Sequence, residues 1–176
     1  LRDAAALPVS GITALQAVRA ARVTAGDSLL ILGASGGVGH YLVQLAAAAG
    51  AEVTAVCSAA KADFVRSLGA VEAVPHDAGT DVLADGRTWD VVFDVMGNPP
   101  LKRLRRATPR GGRIVLIGGD NGGRVTAGFG RQLRAVLVAP FVRRRLTVVT
   151  SRERSADIAE LVQHVQRGEV RPHVDR

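Results

Sequence analysis

The chemistry in this sequence concentrates in one glycine-rich turn. Gly33-Ala34-Ser35-Gly36-Gly37-Val38-Gly39 follows an apolar run at 29–32 and opens a stretch of helical character. Small residues at this spacing let the backbone approach a pyrophosphate closely. A helix starting in such a turn adds free N–H groups and the positive end of its dipole. Between a strand and a helix, this is the setting of a dinucleotide fingerprint. Two registers fit. One is A-x-G-x-x-G on Ala34, Gly36 and Gly39; the other is G-x-x-x-G-x-G on Gly33, Gly37 and Gly39. The expected pyrophosphate cradle is therefore Ala34, Ser35, Gly36, Gly37, Val38 and Gly39.

A second candidate site lies at the end of the next strand. In a dinucleotide fold, an acid there accepts from the ribose 2′-hydroxyl. Cys57 and Ser58 occupy that place, 18 and 19 residues past Gly39, and neither is an acid. A hydroxyl on Ser58 and a cation on Lys61 suit a 2′-phosphate, which an acid would repel. The expected cofactor is NADP(H) by preference, with NAD(H) possible. The plainer alternatives are Ser58 as a helix cap and Lys61 as a surface residue. Cys57 reads as a small buried filler rather than a reactive thiol.

Other polar residues promise less. His40, His76, His164 and His173 have no ligand spacing, so no metal site is expected. Asp90 and Asp94 flank a strand and read as structural rather than as an acid–base pair. A single cysteine excludes a disulfide framework.

Placing these groups requires a sheet. Apolar runs at 28–32, 53–57, 71–74, 90–95, 113–117 and 146–150 predict strands. Helices are predicted at 15–21, from the glycine turn to 49, and at 60–68, 100–107, 131–139 and 155–166. Ser10, Gly11 and Thr13 offer turn and N-cap chemistry for the first, and Ser155 for the last. Gly50, Gly69 and Gly168 read as helix stops. Residues 118–130 read as a glycine-rich loop. Continuous apolar strands alternating with helices imply parallel pairing with both faces covered. The expected fold is α/β: a Rossmann-type doubly wound parallel sheet of about six strands. Ligands of such sheets sit at the carboxyl ends of the strands. The tips of strands four and five then meet the nicotinamide, at Val95, Met96, Gly97, Ile117, Gly118 and Gly119.

With 176 residues, the chain fits one domain, 1–176, and can bury its own core. Its apolar runs are too short to span a bilayer, and a secretory n-region followed by a long apolar segment is absent, so a soluble, cytoplasmic protein is expected. The net charge is +7, yet residues 101–145 hold 12 of the 23 Lys and Arg and one acid, Asp120. Arg103, Arg105 and Arg106, with Arg143, Arg144 and Arg145, form clusters that read as solvated faces. No recognition motif accompanies them, and aromatics are only 3%, too few for base-stacking platforms. No nucleic-acid or membrane partner is expected.

The A-x-G-x-x-G register, with its surroundings, resembles the medium-chain dehydrogenase/reductase superfamily, in particular its zinc-independent quinone oxidoreductase-like branch. The resemblance rests on Leu7-Pro8-Val9-Ser10-Gly11-Ile12-Thr13-Ala14, the turn continuing to Gln44-Leu45-Ala46, Leu68-Gly69-Ala70, the segment 90–97, and Gly111-Gly112-Arg113-Ile114-Val115-Leu116-Ile117-Gly118. The other register belongs to short-chain dehydrogenases, which need Tyr-x-x-x-Lys. The sole tyrosine, Tyr41, is followed four residues later by Leu45.

The resemblance implies that residues 1–25 are a linking helix and that a GroES-like catalytic domain lies outside this chain. The chain alone would then bind cofactor without turning over substrate. It implies hydride transfer from NADPH to a quinone, enone or related carbonyl compound. It implies that Lys61 contacts the 2′-phosphate, that His76 lines the same pocket, and that Thr13 reaches the nicotinamide end. It also implies a homodimer through the edge strand 146–150. A zinc-dependent alcohol dehydrogenase and a non-catalytic NADP(H)-binding module are the alternatives.

Overall fold

The computed structural model describes residues 7–79, 81–117, 145–149 and 154–173. Six parallel strands form one sheet: β1 (Ser28–Leu32), β2 (Glu52–Cys57), β3 (Glu72–Pro75), β4 (Val91–Asp94), β5 (Arg113–Leu116) and β6 (Arg145–Val148). Their order is β3-β2-β1-β4-β5-β6. The chain runs outward from β1 in one direction, then crosses back to β4 and runs out in the other. The switch point therefore lies between β1 and β4.

The strands are apolar on both faces because both faces are covered. Along β1, Leu29 and Ile31 join one core cluster while Leu30 and Leu32 join the other. The same period-two split divides Val91 and Phe93 from Val92 on β4. On the first face pack α1 (Ile12–Ala21), α2 (Gly39–Ala48), α3 (Ala62–Ser67) and α5 (Ser155–Gln166), through Leu15, Leu42, Val65 and Leu161 among others. On the second face, Leu104 of α4 (Leu101–Arg106) packs with Val82 and Trp89.

Several boundaries differ from the sequence reading. A π-helical turn, Leu7–Gly11, runs directly into α1, which starts at Ile12 rather than at 15. Gly11 holds the N-cap position in helical conformation without a side-chain cap. Thr13 is thus inside the helix and caps nothing; its hydroxyl donates to Val9 O at 2.6 Å. Ser155 is likewise the first helical residue of α5, not its cap. The cap position is Arg154, which is extended. The third predicted helix splits into a 3₁₀ turn, Ala59–Lys61, and α3. Gly50, Gly69 and Gly168 all adopt positive φ after helices, as helix stops do. The expected loop 118–130 and helix 131–139 lie outside the described residues.

Candidate functional site

The glycine turn leaves β1 at the switch point and delivers the chain into α2. It is anchored from below: the Gly33 and Ala34 N–H groups donate to Val56 O at 3.1 and 2.9 Å. The α2 ladder starts with His40 N–H on Gly36 O at 3.0 Å, and His40 Nδ1 lies 3.0 Å from the same oxygen. The first N–H groups of a helix lack intrahelical partners. With the ladder starting at His40, they fall on Gly37, Val38 and Gly39.

Each glycine answers a different demand. Gly33 has φ +86°, and a Cβ there would stand 2.8 Å from Met96 Cγ. Gly39 is buried; its Cβ would overlap Gly33 O and lie 2.8 Å from Ala34 C and Cα. Gly36 and Gly37 are exposed at the crest. A Cβ on Gly36 meets only Gly33 O at 3.4 Å, ordinary contact, so the space above it is open. That open crest, lined by helix-start N–H groups, fits a pyrophosphate. Ala34 is fully buried and belongs to the support of the turn rather than to its crest. Ser35 and Val38 are half-buried beside it.

The tip of β4 closes the other side. The buried Asp94 accepts from the Gly97 N–H at 2.9 Å, and Gly97 takes φ +73°. This turn holds half-buried Val95 and Met96 against Gly33. Ile117 N–H donates to Asp94 O at 2.9 Å, which brings the tip of β5 alongside. Gly118 and Gly119 lie outside the described residues. Asp90 sits at the opposite end of β4 from Asp94. It accepts from the Ser28 hydroxyl at 2.7 Å and the Ser28 N–H at 3.0 Å, and those bonds hold its carboxyl below the usual range. The two carboxylates are separate strand fasteners.

The end of β2 forms the third wall. Cys57 is buried, and desolvation raises its thiol pKa, partly offset by the charge of Arg66. Ser58 stands at the N-cap position of the 3₁₀ turn but makes no side-chain cap. Lys61 is half-buried, its ammonium 5.7 Å from the Phe64 ring centroid. His76 is exposed, and its N–H donates to Cys57 O at 2.9 Å, so the exit of β3 runs beside the exit of β2.

Two residues bordering the site were not among the expected site residues. Ser10 lies 3.2 Å from where a Gly37 Cβ would stand, so the π-helical turn borders the crest. Asp77 accepts from the Ala59 N–H at 2.9 Å. Neither has a local spacing signal; each arrives through the fold. The fold also brings His40 and His173 to 6.2 Å between ring centroids, far apart though they are in sequence. His173 also packs edge-on to Phe64 at 5.0 Å. A separate cleft between α1, β6 and α5 is lined by Gln16, Arg19, Thr147 and Asp157. Arg19 there pairs with Asp157 and Glu160.

Comparison with known proteins places this geometry. The model of the zinc-binding dehydrogenase family matches residues 37–167. A chloroplast envelope quinone oxidoreductase homolog of Arabidopsis thaliana is 37% identical over 124 residues, 65% of this chain and 38% of that protein. A zinc-type alcohol dehydrogenase-like protein of Schizosaccharomyces pombe is 37% identical over 122 residues, 67% of this chain and 35% of that protein. Among solved structures, the quinone oxidoreductase from Coxiella burnetii superposes with TM-score 0.80 at 29% identity, over 97% of this chain and 51% of that one. A thermostable alcohol dehydrogenase from Pyrobaculum aerophilum gives TM-score 0.75 at 25% identity, over 99% and 50%. This chain thus spans about half of these solved chains and less of the two sequence relatives. It belongs to the zinc-binding dehydrogenase family within the medium-chain dehydrogenase/reductase superfamily, and corresponds to the cofactor-binding portion of its members.

Proposed function

We propose that this chain is the cofactor-binding domain of an NADPH-dependent oxidoreductase that reduces a quinone, enone or related carbonyl compound. The observation that carries the proposal is the open glycine crest at the β1/β4 switch point, where doubly wound sheets take their ligands. The crest N–H groups hold the pyrophosphate. Val95, Met96, Gly97 and Ile117 border the nicotinamide, and Ser58 and Lys61 face the 2′-phosphate, with His76 beside them. Bound nicotinamide supplies hydride chemistry; this chain orients it and shields one side. Thr13 gives its proton to Val9 O and meets the nicotinamide end only as an acceptor.

The quinone reading is supported by the names of the Arabidopsis thaliana and Coxiella burnetii relatives. The zinc-dependent alcohol dehydrogenase reading draws on the family model and on the Pyrobaculum aerophilum structure. Ala34 in the first place of the fingerprint, where a glycine could stand, favours the zinc-independent branch.

The test is calorimetric titration with NADPH and NADH at fixed ionic strength. Both bind saturably, NADPH more tightly. Lys61→Ala removes a charge-assisted contact of about 1.5–3 kcal/mol and weakens NADPH roughly ten-fold or more, with NADH little changed. No binding of either cofactor overturns the proposal. Equal weakening of both by Lys61→Ala makes Lys61 a surface residue only.

A further inference from the structure

The adenosine end of the site contains an acid after all, supplied by β3 rather than β2. Asp77 follows β3 by two residues, and its Oδ1 and Oδ2 lie 2.9 and 3.3 Å from the Ala59 nitrogen. The backbone makes this arrangement firm. Cys57 is in register with Pro75, and His76 N–H donates to Cys57 O at 2.9 Å, so the next residue is carried to the loop after β2. Ser58, which sequence offered as the cap, leaves that role to Asp77. After burial, the charge of Asp77 also contributes to raising the Cys57 thiol pKa.

We infer that Asp77 sets the balance between the two nicotinamide dinucleotides, by occupying with its carboxylate the Ala59 N–H that a 2′-phosphate on this loop would need. The inference rests on the cofactor reading above and refines it. A backbone amide has one hydrogen to give. A phosphate dianion at that amide must displace the carboxylate or endure its charge a few ångströms away. A bare ribose meets neither cost, because its 2′-hydroxyl donates to the carboxylate lone pairs that Ala59 leaves over. Ala59 and Asp77 are both exposed, so the cofactor reaches them without any rearrangement of the core. Lys61 and Ser58 favour the phosphate, Asp77 opposes it, and the site accepts both cofactors with a preference smaller than Lys61 alone would give.

The test uses the two half-cofactors that differ only at this point, 2′,5′-ADP and 5′-AMP, titrated by calorimetry into wild type, Asp77→Asn and Asp77→Ala. The readout is the ratio of the two dissociation constants. Asp77→Asn keeps an oxygen for the Ala59 N–H and loses the charge; Asp77→Ala loses both. For a solvent-exposed charge, the ratio moves toward 2′,5′-ADP by roughly five-fold in Asp77→Asn and by up to about ten-fold in Asp77→Ala. A ratio that stays put in both variants, with wild type binding both nucleotides, overturns the role of Asp77 and leaves the cofactor reading standing. Wild type that binds neither nucleotide overturns both. Thermal melts show both variants folded, with Asp77→Ala lowered by a few degrees for the lost cap on the Ala59 N–H.

Discussion

Gly39 and Gly36 carry the same letter in the fingerprint and bear different loads. At Gly39 an added Cβ overlaps Gly33 O and presses on Ala34 backbone. Backbone inside a strand-to-helix turn has little room to give, so Gly39→Ala costs about 1–3 kcal/mol, as overpacking does. For a chain of this size that lowers the melting temperature by several degrees. Gly36→Ala meets only an ordinary contact and melts near wild type. A Gly39→Ala variant as stable as wild type would contradict the packing role. These glycines were legible because a turn between adjacent elements writes its demands into local spacing. The positions of Ser58 and Lys61, just past the end of β2, were legible for the same reason. Asp77 was not: it bonds Ala59 from 18 positions away, and nothing in the intervening sequence marks the pair. The same holds for Ser10 against Gly37 and His40 beside His173.

At the scale of elements, the six strands were readable to within about two residues where described, because buried parallel strands are continuous apolar runs. Helix starts were less readable. α1 begins three residues before the predicted start because a π-helical turn flows into it without any capping side chain. Ser155 looked like a cap because of its type, yet Arg154 is the residue with extended backbone. Besides the core contact of Leu161, a polar clasp holds α5 to α1. Asp157, buried, accepts from Gln16 Nε2 at 2.6 Å and pairs with Arg19. The Gln16 hydrogen bond, with Arg19 behind it, holds its carboxyl below the usual range. The folded pKa is therefore below the unfolded value of about 3.9, so the unfolded chain binds more protons in that region. The clasp is fully present above about pH 4 and is lost as pH falls through the folded pKa. Asp157→Asn is expected to cost about 1–3 kcal/mol at neutral pH. Melting curves across acid pH then converge, because protonated wild type resembles the amide. A constant gap at all pH values would contradict a charge-dependent clasp.

At the scale of the whole molecule, the order β3-β2-β1-β4-β5-β6 makes β6 an edge among the described residues. Arg145 and Val149 N–H groups are given to Gly112 O and Leu116 O of the neighbouring strand. Alternation along the strand turns those of Leu146 and Val148 outward, where an open edge invites another strand. The edge was predicted at 146–150 and is found at Arg145–Val148, with Thr150 outside the described residues. Pairing of two such edges across a two-fold axis would continue the sheet through a homodimer, which is the assembly we propose. Light scattering is expected to give twice the chain mass; a monomer mass at high concentration would contradict it.

The sheet order also underlies the proposed position of the cofactor at the β1/β4 switch point, and that is the central claim. Its most direct measurement is titration of folded Gly36→Val with NADPH. Gly36 is exposed, and its Cβ direction is open, so the valine leaves the fold in place and fills the space assigned to the pyrophosphate. A melting temperature near wild type with NADPH binding lost is expected. Wild-type affinity in the folded variant would contradict it.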